Sequence, residues 1–469
     1  MSYNLNSYFQ LGQDSASLEQ NDLVMNTIRT PVDVQSGRGG LSKVTFKVPK
    51  VGMLTGDSMV TFQIKKGTAT TSNATPNFIS GAIGAVERLR ITIDNKVLTD
   101  LERPSLLHIP RAYTEKTENE NSEFAYKFLG NQFRTTVNPA TGCGEFDMEN
   151  TRYFGNQDVT VDDFNVVRNR IDTEDNSKIY GIHLKDLGAQ YLEQNTLPVF
   201  LLGAREMIIE IFFYKDCREY VVATQGSISS GAYEINYPLV ELVTTHIQVS
   251  DEDQLGEMNS LREVPFQYPL KDNYIVKGAF ETGALKWETS QIFRINAQNR
   301  EVHRLMMVNA PIASDIDGTQ RVVANQKALS LGDVSLQIKA NGLNYFERPI
   351  VQSALLYQQT TYANDGMALK LPYNSFTVDK RTDEMSQSKQ LLMAEYRGTQ
   401  QYVAIDFTNG NQTVLGGGTV QKQAIEIEYK TTARATTKPN QVDRQIDTLF
   451  YLTVSKLLTI SANKVDISF

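Results

Sequence analysis

The histidines and cysteines are the residues through which metal-dependent or nucleophilic chemistry would be easiest to recognise. They are His108, His183, His246, His303, Cys143 and Cys217. No two histidines have HExxH or HxH spacing, and no Cys/His cluster has the spacing of a zinc site. Neither cysteine has the sequence context of a nucleophile, and no GxSxG motif occurs. Two cysteines cannot form a disulfide framework, so we interpret them as buried or idle thiols.

Three other segments contain residues that bind phosphate or cations in other proteins. The segment DIDGT at 315–319 resembles an aspartyl-phosphatase nucleophile loop, but that chemistry needs a parallel βαβ arrangement that the sequence does not predict. The same segment lacks the later ligands and closing glutamate of an EF-hand. The glycine-rich segments SGRGG (36–40) and LGGGT (415–419) lack the helix and Lys-Ser/Thr pair of a phosphate-binding loop. We interpret all three as loops.

Neighbouring carboxylates could serve as glycosidase acids, as at Asp162–Asp163 or Asp251–Glu252. Adjacency in sequence does not place two carboxyl groups on opposite sides of a sugar. Trp287 is the only tryptophan, which argues against the aromatic platforms of sugar-binding sites. The sequons at 73–75 and 411–413 are interpreted as plain surface residues. The sequence thus predicts no catalytic, cofactor-binding or metal-binding residue, and no enzyme.

Composition favours a large folded protein. The chain has 469 residues, 41% apolar and 21% charged, which suits two domains better than one. The net charge is −8 and the first basic residue is Arg29, so we expect no sequence-specific nucleic-acid binding. No apolar run is long enough for a membrane span, and we expect no secretion signal.

The elements that would have to position any site are mostly strands, because apolar residues recur with a period of two. The clearest segments are 42–48, 59–65, 88–93, 207–214, 240–250, 333–340, 424–430 and 457–468. In the first three, the alternating residues Val44, Phe46, Val48, Val60, Phe62, Ile64, Leu89, Ile91 and Ile93 share one face of each strand. Helical patterns are confined to 184–194 and 115–129. The sequence therefore predicts an all-β protein of antiparallel sandwiches with long loops and few short helices.

A tripeptide repeat indicates that the chain is duplicated. Glu-Arg-Pro occurs at 102–104 and again 245 residues later at 347–349. At that spacing the aligned apolar pairs are Ile91 with Leu336, Ile93 with Ile338, Leu98 with Leu343 and Leu101 with Phe346. A second match pairs Ile209 with Ile425, so the interval between the motifs is 29 residues shorter in the second half. Proline after each strand would end its hydrogen-bond ladder, because proline has no donor.

The acidic segment SDEDQLGEMNSLREVP (250–265) is the natural junction between the halves, and we expect it to be poor in helix. The predicted units are an N-terminal arm at 1–22, a first β-domain at 23–252 and a second at 253–469. The arm is too polar to fold alone, so we expect it to order only against a neighbour.

Four segments carry a resemblance to a known family: LPVFLLGAREMIIEIFF (197–213), HIQVSDEDQ (246–254), the N-terminal stretch at 21–57 and the closing stretch at 449–469. Together they resemble the double jelly-roll major capsid proteins of large eukaryotic DNA viruses, virophages and polinton-like viruses. The resemblance spans nearly the whole chain. It implies two tandem eight-stranded antiparallel jelly rolls.

The resemblance also implies a role in the virion. The expected assembly is a pseudo-hexagonal homotrimeric capsomer that tiles an icosahedral shell around double-stranded DNA. Expected partners are neighbouring capsomers, penton proteins and minor capsid or cement proteins, with an inner membrane or the genome beneath the shell. The long loops at 112–180 and 352–391 would form outer towers. The alternatives are a tandem β-sandwich carbohydrate-binding or host-attachment protein, and a jelly-roll glycosidase or lyase.

Overall fold

The computed structural model describes most of the strands and the shorter connections. The described residues are 25–31, 34–36, 42–67, 74–76, 82–107, 135–138, 143–146, 179–194, 196–223, 231–281, 290–311, 334–340, 342–351, 353–362, 402–407, 421–431 and 445–468. Several sequence predictions concern residues outside these ranges. They are the arm at 1–22, the helix at 115–129, His108, Asp162–Asp163, Trp287, DIDGT, LGGGT, nearly all of SGRGG and most of the two long loops.

The described part of the first half consists mostly of strands and short turns. These are β1 (Met25–Pro31), β2 (Val34–Ser36), β3 (Lys43–Lys47), β4 (Met53–Leu54), β5 (Met59–Phe62), β6 (Ile64–Lys66), β7 (Ala74–Pro76), β8 (Val86–Ile93), β9 (Lys96–Glu102), β10 (Thr135–Asn138), β11 (Cys143–Phe146), β12 (Tyr180–His183), β13 (Leu197–Pro198), β14 (Met207–Phe213), β15 (Val221–Ala223), β16 (Tyr233–Ile235) and β17 (Glu241–Ile247). Short 3₁₀ helices span Ala82–Ala85, Val199–Leu202, Cys217–Glu219 and Tyr237–Leu239, and a single α-helical turn, α1, spans Tyr191–Gln194.

The second half has fewer and longer strands. They are β18 (Phe266–Glu281), β19 (Ser290–Pro311), β20 (Val334–Ala340), β21 (Leu343–Asn344), β22 (Tyr402–Asp406), β23 (Gln421–Thr431), β24 (Gln445–Ile460) and β25 (Val465–Ser468). Helix α2 (Asp251–Ser260) connects the halves, and α3 (Ser353–Tyr362) follows β21.

The period of two determines which side chains are buried. Along β14 the residues alternate between buried and partly exposed from Met207 to Phe213. The predicted inward residues of the segments at 42–48, 59–65 and 88–93 are all buried, none more than 5% exposed. Each sheet therefore has one apolar face, which is the condition for two sheets to pack against each other.

Among the described residues, two larger sheets form the body of the first half, beside three two-stranded sheets (β10 with β11, β7 with β15, and β6 with β16). In one, β17 pairs with β1 and β5, and β5 pairs with β12. In the other, β3 pairs with β14, β14 with β8, and β8 with β9. All of these pairings are antiparallel.

The second half repeats this arrangement. Strand β24 pairs with β18 and with the later part of β19, which pairs with β22. The earlier part of β19 pairs with β23, β23 with β20, and β20 with β21. The bend in β19 lies between Asn296 and Arg300, where the register of its pairing with β23 shifts.

The two halves therefore correspond strand for strand. Strand β1 corresponds to β18, and β3 and β5 correspond to the earlier and later parts of β19. In the same order, β8 corresponds to β20, β9 to β21, β12 to β22, β14 to β23 and β17 to β24. Each set of eight antiparallel strands forms two four-stranded sheets with the same neighbours, which is the connectivity of a jelly roll. The predicted fold, two tandem eight-stranded jelly rolls, is confirmed. We call residues 25–247 the first roll and residues 266–468 the second roll.

The two sequence matches do not share one register in the sheets. Ile209 lies opposite Ile91, whereas Leu336, the match of Ile91, lies opposite Tyr429 and not opposite Ile425. The offset of four residues is even, so the same residues still face the core.

The first Glu-Arg-Pro segment lies at the end of β9, and the second follows β21, the corresponding strand of the second roll. In the first roll, Arg103 has a φ of +48° and its N–H donates to the carbonyl of Glu87 at 2.7 Å, while Pro104 begins a helical turn. In the second roll, the segment at 347–349 is exposed and leads to Ile350, which exchanges two backbone hydrogen bonds with Leu336. In the first roll the proline lies beyond the end of the ladder, whereas in the second roll it lies between β21 and the bridge that joins Ile350 to Leu336.

Two helix predictions need correction. Only Tyr191–Gln194 of the segment at 184–194 is helical, and turns precede it. The junction at 250–265 is not poor in helix, because it contains α2. The Ser250 side chain accepts a hydrogen bond from the Asp253 N–H, and three acidic residues in the first turn interact favourably with the helix dipole. The domain division at 252/253 stays a prediction.

Two apolar cores lie between the sheets. The second is confined to the second roll and includes Phe293, Ile427 and Phe450. The first lies in the first roll around Phe46 and Phe62 and extends beyond it. Residues of the second roll complete this core, and they are Tyr268, Leu270, Leu458, Ile460 and Val465.

Candidate functional site between the two rolls

The contact between the rolls is the most distinctive site among the described residues, and we call it the joint. It comprises β9, α1 and the 3₁₀ turn at Val199–Leu202 of the first roll, with the neighbouring ends of β18, β24 and β25 of the second. The hairpin of β24 and β25 extends this end of the second roll, and β25 contacts β9. Because its apolar residues belong to the first roll's core, the joint is packed like a protein interior.

A buried ion pair lies at the centre of the joint. Lys456 Nζ lies 2.5 Å from Asp272 Oδ2, and the two side chains are 8% and 1% exposed. The same ammonium donates to the Leu98 carbonyl of the first roll at 2.6 Å. The pair therefore joins strands β18 and β24 of the second roll to strand β9 of the first.

Hydroxyl groups from the first roll complete the site. The Thr99 hydroxyl donates to Asp272 Oδ1 at 3.0 Å and lies 3.2 Å from the Tyr191 hydroxyl, with which it also hydrogen-bonds. Burial raises the pKa of Asp272, and the ammonium of Lys456 and the hydroxyl of Thr99 oppose that rise. Burial and the nearby carboxylate raise the pKa of Tyr191 well above its ordinary value, so its phenol is neutral.

The first Glu-Arg-Pro segment is part of the joint. The Tyr451 hydroxyl, on β24, donates to the Arg103 carbonyl at 3.1 Å and lies 3.5 Å from the Glu102 carbonyl. Tyr451 is 1% exposed, and burial raises the pKa of its phenol. The left-handed backbone at Arg103 ends β9, and the second roll binds to the carbonyls at that point.

Polar contacts surround the buried centre. The Arg205 guanidinium donates to the carbonyls of Ser461 at 3.0 Å and Ala462 at 2.7 Å, both in the turn between β24 and β25. Lys96 Nζ lies 2.8 Å from Asp466 Oδ1 in an exposed ion pair. An apolar core, a buried charge pair and a polar rim give this contact the composition of a permanent interface.

The chemistry of this arrangement is structural. A desolvated ion pair contributes little net stability, but it is strongly unfavourable in any geometry that separates the charges. The Lys456 ammonium reaches both Asp272 and the Leu98 carbonyl only when the two rolls keep one relative orientation.

The structure places the described histidines apart from one another. His183 Nδ1 lies 3.1 Å from the Asp57 carbonyl, and His303 Nε2 lies 2.5 Å from the Ser455 hydroxyl. Burial lowers the pKa of His303 and lowers that of His246, which is fully buried, to about 4. Cys217 is a buried free thiol whose pKa burial raises.

Asp251 and Glu252 are exposed residues in the first turn of α2. Within the described ranges, no three His, Cys, Asp or Glu side chains cluster closely enough to hold a metal ion. Among the same residues, no helix is long and apolar enough to cross a membrane.

Sequence reasoning missed Asp272 and Lys456, although a signal was present. Along β18 the buried positions include Tyr268, Leu270 and Asp272, and along β24 they include Val454, Lys456 and Leu458. An acidic residue on the apolar face of one strand and a basic residue on that of another predict a buried ion pair. Their partner, Thr99, could not be identified from that pattern.

Comparison with known proteins links this architecture to virus capsids. The sequence matches no protein-family profile and no curated protein sequence. Solved structures match over nearly the whole chain.

One such structure is the PBCV-1 virus capsid, with a TM-score of 0.57 and 10% identity, covering 96% of this chain and 97% of that one. Another is PBCV-1 VP54 fitted into a reconstruction of the virophage Sputnik, with a TM-score of 0.56 and 11% identity over 95% and 97% of the two chains. The Sputnik virophage structure matches with a TM-score of 0.51 and 11% identity over 95% and 88%.

These proteins share little sequence with this chain, yet they match it through both rolls and the connection between them. The chain has the double jelly-roll fold of viral major capsid proteins.

Proposed function

We propose that this protein is the major capsid protein of an icosahedral double-stranded DNA virus, located in the virion shell, with a structural role and no enzymatic one. The observation that carries the proposal is the joint. Two rolls of the same connectivity share one apolar core, and a buried ion pair of the second roll hydrogen-bonds to Leu98 and Thr99 of the first. The likeness to the PBCV-1 virus capsid over the whole chain supports it.

Two similar rolls in one chain suit a shell tiled by hexagons. Three copies around a threefold axis present six similar rolls, so a trimer with true threefold symmetry has a nearly hexagonal outline. A tile of this kind must keep the angle between its rolls constant, because neighbouring tiles meet along its edges. We therefore propose a homotrimeric capsomer.

The joint within one chain suggests how the copies bind each other. There, β9 of the first roll contacts β18 of the second. The strands that correspond to these two are β21 in the second roll and β1 in the first. We infer that the β21 edge of one copy contacts the β1 edge of the next, which closes a ring of alternating first and second rolls after three copies.

Exposed apolar residues on the β21 edge support this assignment. Leu343 on β21 is 77% exposed, Val351 is 60% exposed and Leu355 on α3 is 46% exposed. Large exposed apolar side chains that lie near one another are typical of protein interfaces. The corresponding edge of the first roll, β9, is covered by the joint.

The proposed partners beyond the trimer are neighbouring capsomers, penton proteins and minor capsid or cement proteins, with a membrane or the genome beneath the shell. The net charge of −8 supports a role as a wall around nucleic acid without sequence-specific binding to it.

The test is the mass of the purified protein in solution, measured by light scattering and native mass spectrometry. We expect three times 52.6 kDa, stable to dilution, and pseudo-hexagonal particles in negative stain. Leu343→Glu should give folded monomers, because a charge would be buried in the interface.

Val264→Glu is the matched control, because Val264 is 69% exposed on the connection after α2, away from the proposed interface. A wild-type monomer that binds glycans would overturn the proposal in favour of a tandem carbohydrate-binding or host-attachment protein. A trimer that Leu343→Glu leaves intact would overturn the assigned interface.

A further inference from the structure

The first roll contains a buried histidine without a hydrogen-bond partner. His246 on β17 is 0% exposed, and neither Nδ1 nor Nε2 has a partner within hydrogen-bond geometry. The backbone of Val51 is close enough to favour the charged ring slightly. Such a ring is stable in this position only in its neutral form, because an unpaired buried charge is strongly unfavourable.

The strands around His246 provide no compensating carboxylate. It lies opposite Leu54 on β4 and Asn26 on β1, and Met53 and Leu54 are fully buried. The titratable and charged residues on the elements that pack around β17 are Glu241, Arg29, Asp57, Tyr180, His183, Lys185, Lys43, Lys47, Lys50 and Glu210. Lys43 pairs with Glu210 and Lys185 lies near Asp57, and among the described residues no charged side chain contributes to the pKa of His246.

The position of His246 gives its protonation structural consequences. Strand β17 is hydrogen-bonded to β1, β4 and β5, so it lies inside its sheet and not at an edge. The chain continues from Ile247 through residues 248–250 to α2 and the second roll. Gly52 packs closely on the end of β17, because a Cβ there would lie 2.1 Å from the Ile247 carbonyl oxygen.

We propose that His246 makes the first roll acid-sensitive, so that mild acid opens β17 from its neighbours and loosens the capsomer. The loosening of a capsomer rests on the proposed function, whereas the opening of β17 is a property of the chain alone. A shell that must release its contents would use such a change when it enters an acidic compartment.

The direction follows from proton linkage. Burial lowers the pKa of His246 to about 4, whereas an exposed histidine has a pKa near 6.5. Between these values the opened strand binds a proton that the closed strand does not, so closure weakens as the pH falls. The open population rises by up to about tenfold per pH unit in this window, or about thirtyfold between pH 7.5 and pH 5.0.

The experiment is hydrogen exchange read by mass spectrometry on peptides covering 241–247, at pH 7.5 and 5.0, corrected for intrinsic exchange. We expect protection of β17 in the wild type to fall by about thirtyfold, and protection in His246→Leu to stay constant. His183→Gln is the matched control, because His183 is partly exposed, and it should behave as the wild type. Equal wild-type protection at both pH values, or an unchanged drop in His246→Leu, overturns the proposal.

A second measurement, made on the wild-type protein, tests the proposal even if His246→Leu does not fold. Exchange at the imidazole C2 position of the wild-type protein reports the pKa of His246 directly, and a value near 6.5 overturns the proposal. The mass at pH 7.5 is recorded on the same sample. A monomeric mass at pH 7.5 counts against the proposed capsomer. The hydrogen-exchange result still tests the acid response of β17, because that response is a property of the single chain.

Discussion

Removing Asp272 alone from the buried ion pair should lower stability more than removing both partners. In Asp272→Leu, the Lys456 ammonium loses its carboxylate partner in a site where its side chain is 8% exposed, while its hydrogen bond to the Leu98 carbonyl remains. An unpaired buried charge of this kind costs about 3–5 kcal/mol of unfolding free energy.

Replacing Lys456 alone should cost less unfolding free energy than replacing Asp272 alone. In Lys456→Met, Asp272 can take up a proton, since burial already raises its pKa, and it keeps the hydrogen bond from Thr99. The expected loss is about 1–3 kcal/mol, the range for a buried polar group that loses a partner. In the double variant no charge remains, and Thr99 and Tyr191 still hydrogen-bond each other. Its stability should exceed that of Asp272→Leu by about 2 kcal/mol or more.

The assay is urea unfolding of all four proteins at pH 7 and one protein concentration, analysed as a double-mutant cycle. Asp466→Leu is the control, because Asp466 pairs with Lys96 across the same joint but in solvent, and we expect no measurable change. The reasoning is refuted if Asp272→Leu unfolds at the wild-type urea concentration. It is also refuted if the double variant loses the sum of the two single losses.

Three further changes test packing and titration in the first roll and in α2. Gly52→Ala should lower stability by more than about 2 kcal/mol, because Gly52 has a φ of +60° and a Cβ would meet the Ile247 carbonyl. Gly256→Ala, in α2 with open space around it, should instead raise stability by about 0.5–1 kcal/mol, and calorimetry of both variants distinguishes these outcomes. Burial raises the pKa of Glu219 to about 8 from an ordinary value of 4.5, so the folded state holds a proton that the unfolded state has lost, and Glu219 lowers stability as the pH rises from 4.5 to 8. Glu219→Gln should remove that decline, and stability curves for wild type and variant that stay parallel from pH 5 to pH 8 would contradict this account.

The sequence predicted the strands that carry strict alternation. Val44, Phe46 and Ile91 are buried as their spacing requires, because a strand turns alternate side chains to opposite faces wherever it lies in the fold. The Glu-Arg-Pro repeat predicted the duplication, since each copy follows the same strand of its roll. The helix α2 was missed although its signal is local, with Ser250 capping the N–H of Asp253 three residues later.

The joint could not be predicted from these patterns. Its ion pair joins residues 184 positions apart, and its contact from Lys456 to the Leu98 carbonyl joins residues 358 positions apart. Alternation shows that Asp272 and Lys456 face inward, but not which strand they face. Their contacts with Leu98 and Thr99 depend on how the two rolls pack against each other.

By itself, therefore, the sequence determined that the chain contains two similar sets of antiparallel strands, each with one apolar face. Backbone geometry and side-chain spacing act locally, and both can be identified along the chain. Only the tertiary structure decided that the second roll completes the first roll's core, and that a buried charge pair of the second roll hydrogen-bonds to Leu98 and Thr99 of the first. Those contacts are stable because complementary surfaces exclude water, and complementarity is a property of surfaces that exist only after the rolls have formed.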